Sequence, residues 1–422
     1  MKIYLDFLGC KLNQAEAERI SYGILQCGYS LAVDIKDADV YILNSCAVTA
    51  EAERKTRNKL AASVRKNTRI IRILIGCCGQ KDKDEYLRQN LAEYVLGNDN
   101  KYSIYQILQT LLPYEFTKKE PENVGALKRI RSFVQIQEGC HNFCSYCIVP
   151  YLRTNENSTS VIDIIDTINH RLQKGYGEVT LTGTEIGSYS SQGYDLTALV
   201  KVILHKTEVK RLRLSSLQPQ EISLELLQLF AANHRLCHHF HISLQSASPA
   251  ILKYMNRPYT LEEYNDALER IWGMLPDAAV TTDVIVGFPG ESELDFALTL
   301  DFCQKTPFAK IHAFPYSSRK ITAAASMSAQ VSELSKRERM FRLLNLAKDK
   351  MQEFALKHIG QVAPVYVEGQ YNGLYEGYTS NYLRVFFTAS SDLSGKIVDI
   401  KINSLMPSGE GAIGELADKR YF

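Results

Sequence analysis

Short apolar runs rich in β-branched residues alternate with helical stretches along most of this chain. That rhythm constrains the fold more than any other feature. The first runs fall at 3–8, 40–44 and 70–75, with helical segments at 14–26 and 50–66 between them. Such βαβ alternation predicts a parallel sheet covered on both faces. A polar stretch, 113–131, contains Pro121 and Gly125 and ends in LKRIR; it reads as a linker. The rhythm then resumes, with strands expected at 133–137, 178–182, 211–214, 239–244, 281–286 and 310–314. Ser160 and Asp163 read as the capping box of the first helix there. Consecutive β/α units predict a parallel barrel or partial barrel, whose chemistry sits at the C-terminal ends of the strands. A long charged amphipathic helix, 332–358, follows. After Gly360 the texture changes to short alternating strands (VAPVYVEG, YLRVFF, GKIVDIKI), the pattern of a small OB-like barrel. The fold class is thus α/β with an appended β-barrel. The expected domains are 1–112, a linker 113–131, 132–358 and 359–422.

Net charge is only +2 over 422 residues, so a generally basic surface is no argument for nucleic-acid binding. No apolar run is long enough to cross a membrane, and MKIYLDFLGC lacks the pattern of a secretory signal. A cytoplasmic location is expected, with no membrane partner. Ten cysteines in a reducing compartment point to metal or catalysis rather than disulfides.

Three of them, Cys140, Cys144 and Cys147, form the compact pattern C-x3-C-x2-C in GCHNFCSYC. Thiolates are the usual ligands of iron–sulfur clusters, and three of them leave one iron of a four-iron cluster open to a substrate. A zinc ribbon would need a second cysteine pair or histidines at matching distance. The segment resembles the signature of the radical S-adenosylmethionine superfamily, with Tyr146 as the aromatic residue before the last cysteine. The resemblance implies a [4Fe-4S] cluster on these catalytic cysteines. S-adenosylmethionine would chelate its open iron and be cleaved to a 5′-deoxyadenosyl radical.

Cys10, Cys46 and Cys77 are far apart, yet each lies just beyond a predicted strand, in LGC, NSC and IGC. Parallel strands end along one edge, so the three thiols can converge. From the residues alone they read equally as small apolar side chains in strand-end loops. GCKLNQAEAE, NSCAVT and GCCGQ resemble the N-terminal domain of the methylthiotransferases, a branch of the same superfamily. That resemblance implies a second [4Fe-4S] cluster on Cys10, Cys46 and Cys77, with Cys78 a neighbour rather than a ligand. Cys27 reads as a helix C-cap, and Cys237 and Cys303 as packing residues.

The resemblance continues through EVTLTGTEIGSY, RLRLSSLQP, HISLQSAS, ILKYMNRPYT, TTDVIVGFPGE and HAFPYSSR. It implies that Thr182, Gly183, Glu185, Ser215 and Gln245, with Tyr146, line the S-adenosylmethionine site. Gly183 would permit close backbone approach to the ligand. Thr154, Asn157, Thr159, Gln218, Ala247 and Ile321 depart from the family pattern. The tail resembles a TRAM domain, an RNA-binding barrel. Its Tyr375, Tyr378, Tyr382, Phe386 and Phe387 are candidates for stacking on bases, with core packing the default reading. Glu368, Glu376, Asp392 and Asp399 argue against a strong phosphate patch, and Lys128, Arg129 and Arg131 are candidate RNA contacts.

Within the family, LTGTEIGSY and HISLQS look closest to the branch that modifies N6-threonylcarbamoyladenosine next to the anticodon of tRNA. The implied partners are tRNA, S-adenosylmethionine and an electron donor of the flavodoxin or ferredoxin type, acting on a monomer. The alternatives are a methylthiotransferase for isopentenyladenosine or for a ribosomal-protein aspartate. A rival of another class is a catalytically silent iron–sulfur RNA-binding protein.

Overall fold

The computed structural model describes residues 2–111 and 131–417. The N-terminal unit runs β1 (Lys2–Phe7), α1 (Lys11–Gln26), β2 (Ser30–Leu31), β3 (Val40–Ser45), α2 (Ala50–Lys66), β4 (Ile71–Gly76), α3 (Cys77–Arg88), β5 (Tyr94–Leu96) and α4 (Ile104–Leu111). Its five strands form one parallel sheet in the order β2-β1-β3-β4-β5. β3 is buried along its whole length, as expected of a central strand covered on both faces. The short strands β2 and β5 escape sequence reading because neither is long enough to show a period.

The central unit begins with β6 (Arg131–Gln135), followed by β7 (Gln137–Glu138), α5 (Val149–Leu152), β8 (Asn157–Ser158), α6 (Val161–Gln173) and β9 (Glu178–Thr182). Next come α7 (Leu196–Lys206), β10 (Arg211–Leu214), β11 (Ser216–Leu217), α8 (Leu224–Ala232), β12 (His239–Ile242) and α9 (Pro249–Tyr254). The unit closes with α10 (Leu261–Met274), β13 (Ala279–Val286), α11 (Glu293–Lys305), β14 (Lys310–Pro315) and α12 (Glu333–Leu356). β6, β9 and β10 form one parallel sheet, and β11 to β14 another. β10 and β11 are one extended run broken at Ser215, so the two sheets join into an open, partial barrel. Side-chain caps start most of its helices: Ser160, Asp195, Ser223, Ser248, Thr260, Ser292. At Ser160 the expected reciprocal box is absent. Asp163 accepts from the Ser160 hydroxyl at 2.7 Å while that hydroxyl accepts from the Asp163 amide at 3.2 Å, and the reciprocal box is closed instead at Ser292, where Asp295 accepts from the Ser292 amide at 2.9 Å.

The expected linker 113–131 overruns the structure by one residue, since Arg131 already belongs to β6. It is pulled into the strand by Glu178 and Glu368, which it pairs across two domains. The rest of that linker, with Lys128 and Arg129, lies outside the described residues.

The last unit comprises β15 (Val362–Tyr371), β16 (Leu374–Thr379), β17 (Arg384–Phe387), β18 (Ile397–Leu405) and β19 (Ala412–Leu416). They close into a barrel in the order β15-β16-β17-β19-β18, with β17 and β19 parallel and every other pair antiparallel. This is the small Greek-key barrel expected from the alternating pattern. Tyr375, Phe386 and Phe387 are buried rather than offered to a base. Tyr382 packs on the central unit, with its ring stacked on His239 at 4.4 Å and the Arg213 guanidinium 4.8 Å above it. Glu368 and Glu376 are paired with Arg131 and Arg384.

Two fully buried carboxylates tie the units together. Glu16 on α1 takes Lys101 and Arg153, each at 2.6 Å. Glu178 on β9 takes Arg211 and Arg213, each at 3.0 Å. Burial alone would push both carboxyls up, but the paired cations outweigh it and hold each at about 2. A carboxyl held below its ordinary 4.5 contributes stability that is complete above that pH and is lost as pH falls through about 2. Each contributes on the order of 3 kcal/mol on this count. Urea midpoints should therefore be level between about pH 7 and 5 and drop by about pH 3. A midpoint unchanged at the lowest pH would mean the pairs contribute nothing.

Candidate functional site

The loop that carries Cys140, Cys144 and Cys147 leaves β7 and, after α5, the chain returns to pair β8 with β7. Phe143 within it has φ of +46°, in the left-handed region a phenylalanine rarely adopts. Asn256 holds that turn by donating to the carbonyls of Asn142 and Phe143, at 3.2 Å each. The adjacent Arg257 donates from Nη1 to the Cys144 sulfur at 3.1 Å and to the Tyr146 hydroxyl at 3.2 Å. From the other side, the Cys140 thiol donates to Glu185 Oε2 at 3.1 Å. Asn142 donates to Glu185 Oε1 at 2.6 Å, and the Gln218 amide donates to the same oxygen. Burial pushes the nearby Glu221 carboxyl up to about 8, and the charge of Glu185 adds to it. Gln218 therefore makes sense of one departure from the family pattern. It bridges Glu185 to Arg257 (3.5 Å) without adding a third carboxylate.

The N-terminal cysteines do converge. β1, β3 and β4 are neighbours in the sheet, and Cys10, Cys46 and Cys77 leave their C-terminal ends. Gly9 has φ of +109°, and any Cβ there would strike the Cys46 side chain. Asn13 locks the turn, donating to the Leu8 and Ser45 carbonyls at 2.9 and 2.8 Å and accepting from the Cys10 thiol at 3.3 Å. Asn98 donates to the Cys77 sulfur at 3.5 Å. Arg153, from the central unit, donates to Asn13 at 3.4 Å, and its charge reaches the Cys10 and Cys77 sulfurs. Cys78 is turned away, its thiol on the Cys46 carbonyl at 3.2 Å. Cys237 and Cys303 are buried, as expected of packing residues.

A cleft of about 1010 Å³ opens where the three units meet. Gly9 to Leu12 form one wall, Tyr378 and Tyr382 another, and the barrel strands the floor. Along these strands side chains alternate. Leu212, Phe240, Ile242, Val280 and Val284 face the helical layer and its core. His239, His241, Thr281, Asp283 and His312 face the lumen. Thr281 Oγ1 lies 2.9 Å from both His239 Nε2 and His241 Nδ1, and His241 Nε2 lies 3.1 Å from Asp283. Burial holds His312 down, to about 4.

Of the residues expected around S-adenosylmethionine, Thr182, Gly183 and Ser215 line this cleft. Gly183 packs against Gln137, whose carbonyl would meet a Cβ at 2.7 Å, so its lack of a side chain already serves the strand contact. Glu185 and Tyr146 sit on the cysteine loop as described. Gln245 has φ of +64° and leaves its buried side-chain oxygen unpartnered among the described residues. A strained residue with an open acceptor is a mark of a ligand contact. Of the departures, Asn157 pairs with Glu138 in β7–β8, and Thr159 donates to the carbonyls of Ile136 and Gln135.

Sequence reading passed over Arg257, Asn13 and Lys11, although each lies in a quoted motif, and over Arg153, which lies in none of them. It also passed over the polar lumen, which the strict alternation of RLRLS and HFHIS announces.

Among the described residues, no three His, Cys, Asp or Glu side chains are set to hold a single metal ion. A cluster asks something different, because its thiolates surround a larger inorganic core. Each triad offers sulfurs that feel one another's charge, with a guanidinium close by. Burial pushes the thiols of Cys46, Cys140 and Cys147 up, that of Cys147 to about 11, so ligation must release protons. The donor sets fit two iron–sulfur clusters.

Residues 134–303 match the Radical SAM superfamily, and residues 2–97 match a family described as Uncharacterized protein family UPF0004. The threonylcarbamoyladenosine tRNA methylthiotransferase MtaB of Aquifex aeolicus is 35% identical, over 86% of this chain and 91% of that protein. Its namesake in Bacillus subtilis is 34% identical, over 94% and 92%. A tRNA-2-methylthio-N(6)-dimethylallyladenosine synthase of Acetivibrio thermocellus is 32% identical, over 98% and 91%. Among solved structures, the radical S-adenosylmethionine methyltransferase TsrM of Kitasatospora setae shares the fold, with a TM-score of 0.57 over 77% of each chain at 12% identity. Identity at this level across nearly the full length decides the family. This chain is a member of the radical S-adenosylmethionine methylthiotransferase family.

Proposed function

We propose that this transferase attaches a methylthio group to C2 of N6-threonylcarbamoyladenosine next to the anticodon of tRNA. The family works with S-adenosylmethionine and [4Fe-4S] clusters. In this reading Cys140, Cys144 and Cys147 hold the cluster that binds S-adenosylmethionine, and Cys10, Cys46 and Cys77 hold the auxiliary cluster. When bound, the clusters would supply the electron and the sulfur, and S-adenosylmethionine the radical and the methyl group.

The chain's own residues do the rest. Arg257 orients Cys144 and Tyr146. Glu185 anchors the other end of the loop through Cys140 and Asn142. In this reading Thr182, Gly183 and Ser215, on the cleft wall, line the place of S-adenosylmethionine together with Gln245. The units 1–112, 132–358 and 359–422 act as sulfur-donor, radical and RNA-binding domains, with 113–131 between the first two. We take the enzyme to act as a cytoplasmic monomer fed by a flavodoxin- or ferredoxin-type donor; among the described residues no helix is long and apolar enough to cross a membrane.

The observation that carries the choice of substrate is the cleft. Cys10 of one triad and Thr182 and Ser215 of the barrel rim share it, and its lumen is polar. A lumen of histidines, Thr281 and Asp283 suits a polar acyl substituent, whereas an apolar isopentenyl group would strip water from these groups and offer them no hydrogen bond in return. Relatives named for the dimethylallyl substrate match at similar identity, so the lumen, not the identity, favours this reading. Reconstituted enzyme, given S-adenosylmethionine and reductant, should form methylthio product on tRNA bearing threonylcarbamoyladenosine. Product confined to isopentenylated tRNA, or to a ribosomal-protein aspartate, would refute the substrate and leave the enzyme class intact.

A further inference from the structure

The charged groups lining the three-domain cleft are unevenly satisfied. Asp283 is engaged by His241 and by Ser243, at 3.1 Å each. Glu410 is held by Arg384, which Glu376 also pairs. Just behind the cleft, Arg131 and Arg213 are engaged by Glu178 and Glu368. Lys11 lines the same cleft, partly buried, and makes no ion pair or hydrogen bond among the described residues. Asp283 and Glu410, the carboxylates lining the cleft, are committed elsewhere and form no ion pair with Lys11, which feels only the longer-range attraction of Asp283 and Tyr382. Lys310 and Lys348 line the cleft too, but both are exposed to water, so Lys11 is the lining lysine whose charge is drawn out of solvent. A cation withdrawn from water without a counter-charge is costly, and in a binding cleft it implies an anionic group on the ligand.

Position sharpens this. Lys11 follows Cys10 directly and starts α1, so its backbone is fixed beside the auxiliary triad. In adenine, C2 and C6 flank the same ring nitrogen. A base that offers C2 to the sulfur-bearing centre at Cys10 must therefore carry its N6 substituent along the same wall. The threonylcarbamoyl group ends in a carboxylate, and an isopentenyl group has none.

We propose that Lys11 receives the carboxylate of the N6 substituent and so selects a carboxylate-bearing adenosine over an apolar one. This rests on the substrate reading above. It assigns to Lys11 a part in specificity that involves no cluster ligation.

The test uses the reconstituted enzyme and two tRNAs, one with the free threonyl carboxylate and one with its methyl ester. Binding is measured directly, alongside product formation and iron content. A charge-assisted contact should favour the carboxylate about 10- to 100-fold in wild type. Lys11→Met should bring the two affinities within about twofold, and Lys11→Arg should keep a preference, since it keeps the charge. Equal binding of the two tRNAs by wild type overturns the proposal without recourse to any variant, so a poorly folded Lys11→Met cannot hide its failure. An undiminished preference in an iron-replete Lys11→Met overturns it as well. In both cases product on threonylcarbamoyl tRNA shows that the substrate reading survives. Wild-type product only on isopentenylated tRNA overturns that reading and this inference together.

Discussion

Replacing Cys140, Cys144 and Cys147 together with alanine should abolish reductive cleavage of S-adenosylmethionine, while replacing Cys10, Cys46 and Cys77 should leave it intact. Both variants should form no methylthio product, and each should keep about half of the wild-type iron if both clusters hold four irons. The contrast follows from the separation of the triads. One lies on a single loop pinned by Arg257 and Glu185, and the other on three strand ends of another sheet. Iron and cleavage assays on anaerobically reconstituted protein decide it. Full iron in the Cys10, Cys46 and Cys77 variant would remove those residues from the site. Loss of cleavage in that variant would show that the two centres depend on each other.

Arg153→Ala is the single change expected to cost most. It removes one cation from Glu16, a carboxylate with no exposure, and leaves Lys101 to compensate alone. Breaking a buried pair from one side costs about 3–5 kcal/mol, because a charge is left without its partner. Arg153 also joins the central unit to Asn13 beside Cys10, so the auxiliary triad should loosen as well. Urea unfolding should show the loss, and iron content should fall below wild type. Adding Glu16→Gln should recover part of the stability, since the stranded charge goes with it. A loss below about 1 kcal/mol would mean that water or Lys101 makes good the missing charge.

Much of the site was legible because its signals are local. The spacing of Cys140, Cys144 and Cys147 lies within one loop, so no tertiary knowledge is needed to group them. Cys10, Cys46 and Cys77 were legible one step removed. Their grouping depends on three parallel strands being neighbours, which the β/α rhythm and the family motifs supplied and the order β1-β3-β4 bears out. Arg257 illustrates the opposite case. Its partner Cys144 is far away along the chain, and nothing in ILKYMNRPYT marks which cation turns toward sulfur.

The tail teaches the same distinction. Alternating aromatics announced a β-barrel; Tyr375 and Phe387 fill it, and Phe386 lies on the opposite face of β17, covered by Tyr371 and Arg384. Periodicity could not tell that Tyr382 would leave the pattern for His239 and Arg213, because that requires knowing which face of one domain meets another.

The sequence by itself determined the types of the longer elements, the order of α/β units and closing β-barrel, and the compact set Cys140, Cys144 and Cys147, since periodicity, capping and motif spacing act between residues near in the chain. Only the tertiary structure decided which charges are stranded and which are answered. Glu16 meets Arg153, Glu178 meets three arginines, and Lys11 forms an ion pair with no acidic group among the described residues. Electrostatic fate depends on burial and on distances through space, and the chain specifies those only once it has folded.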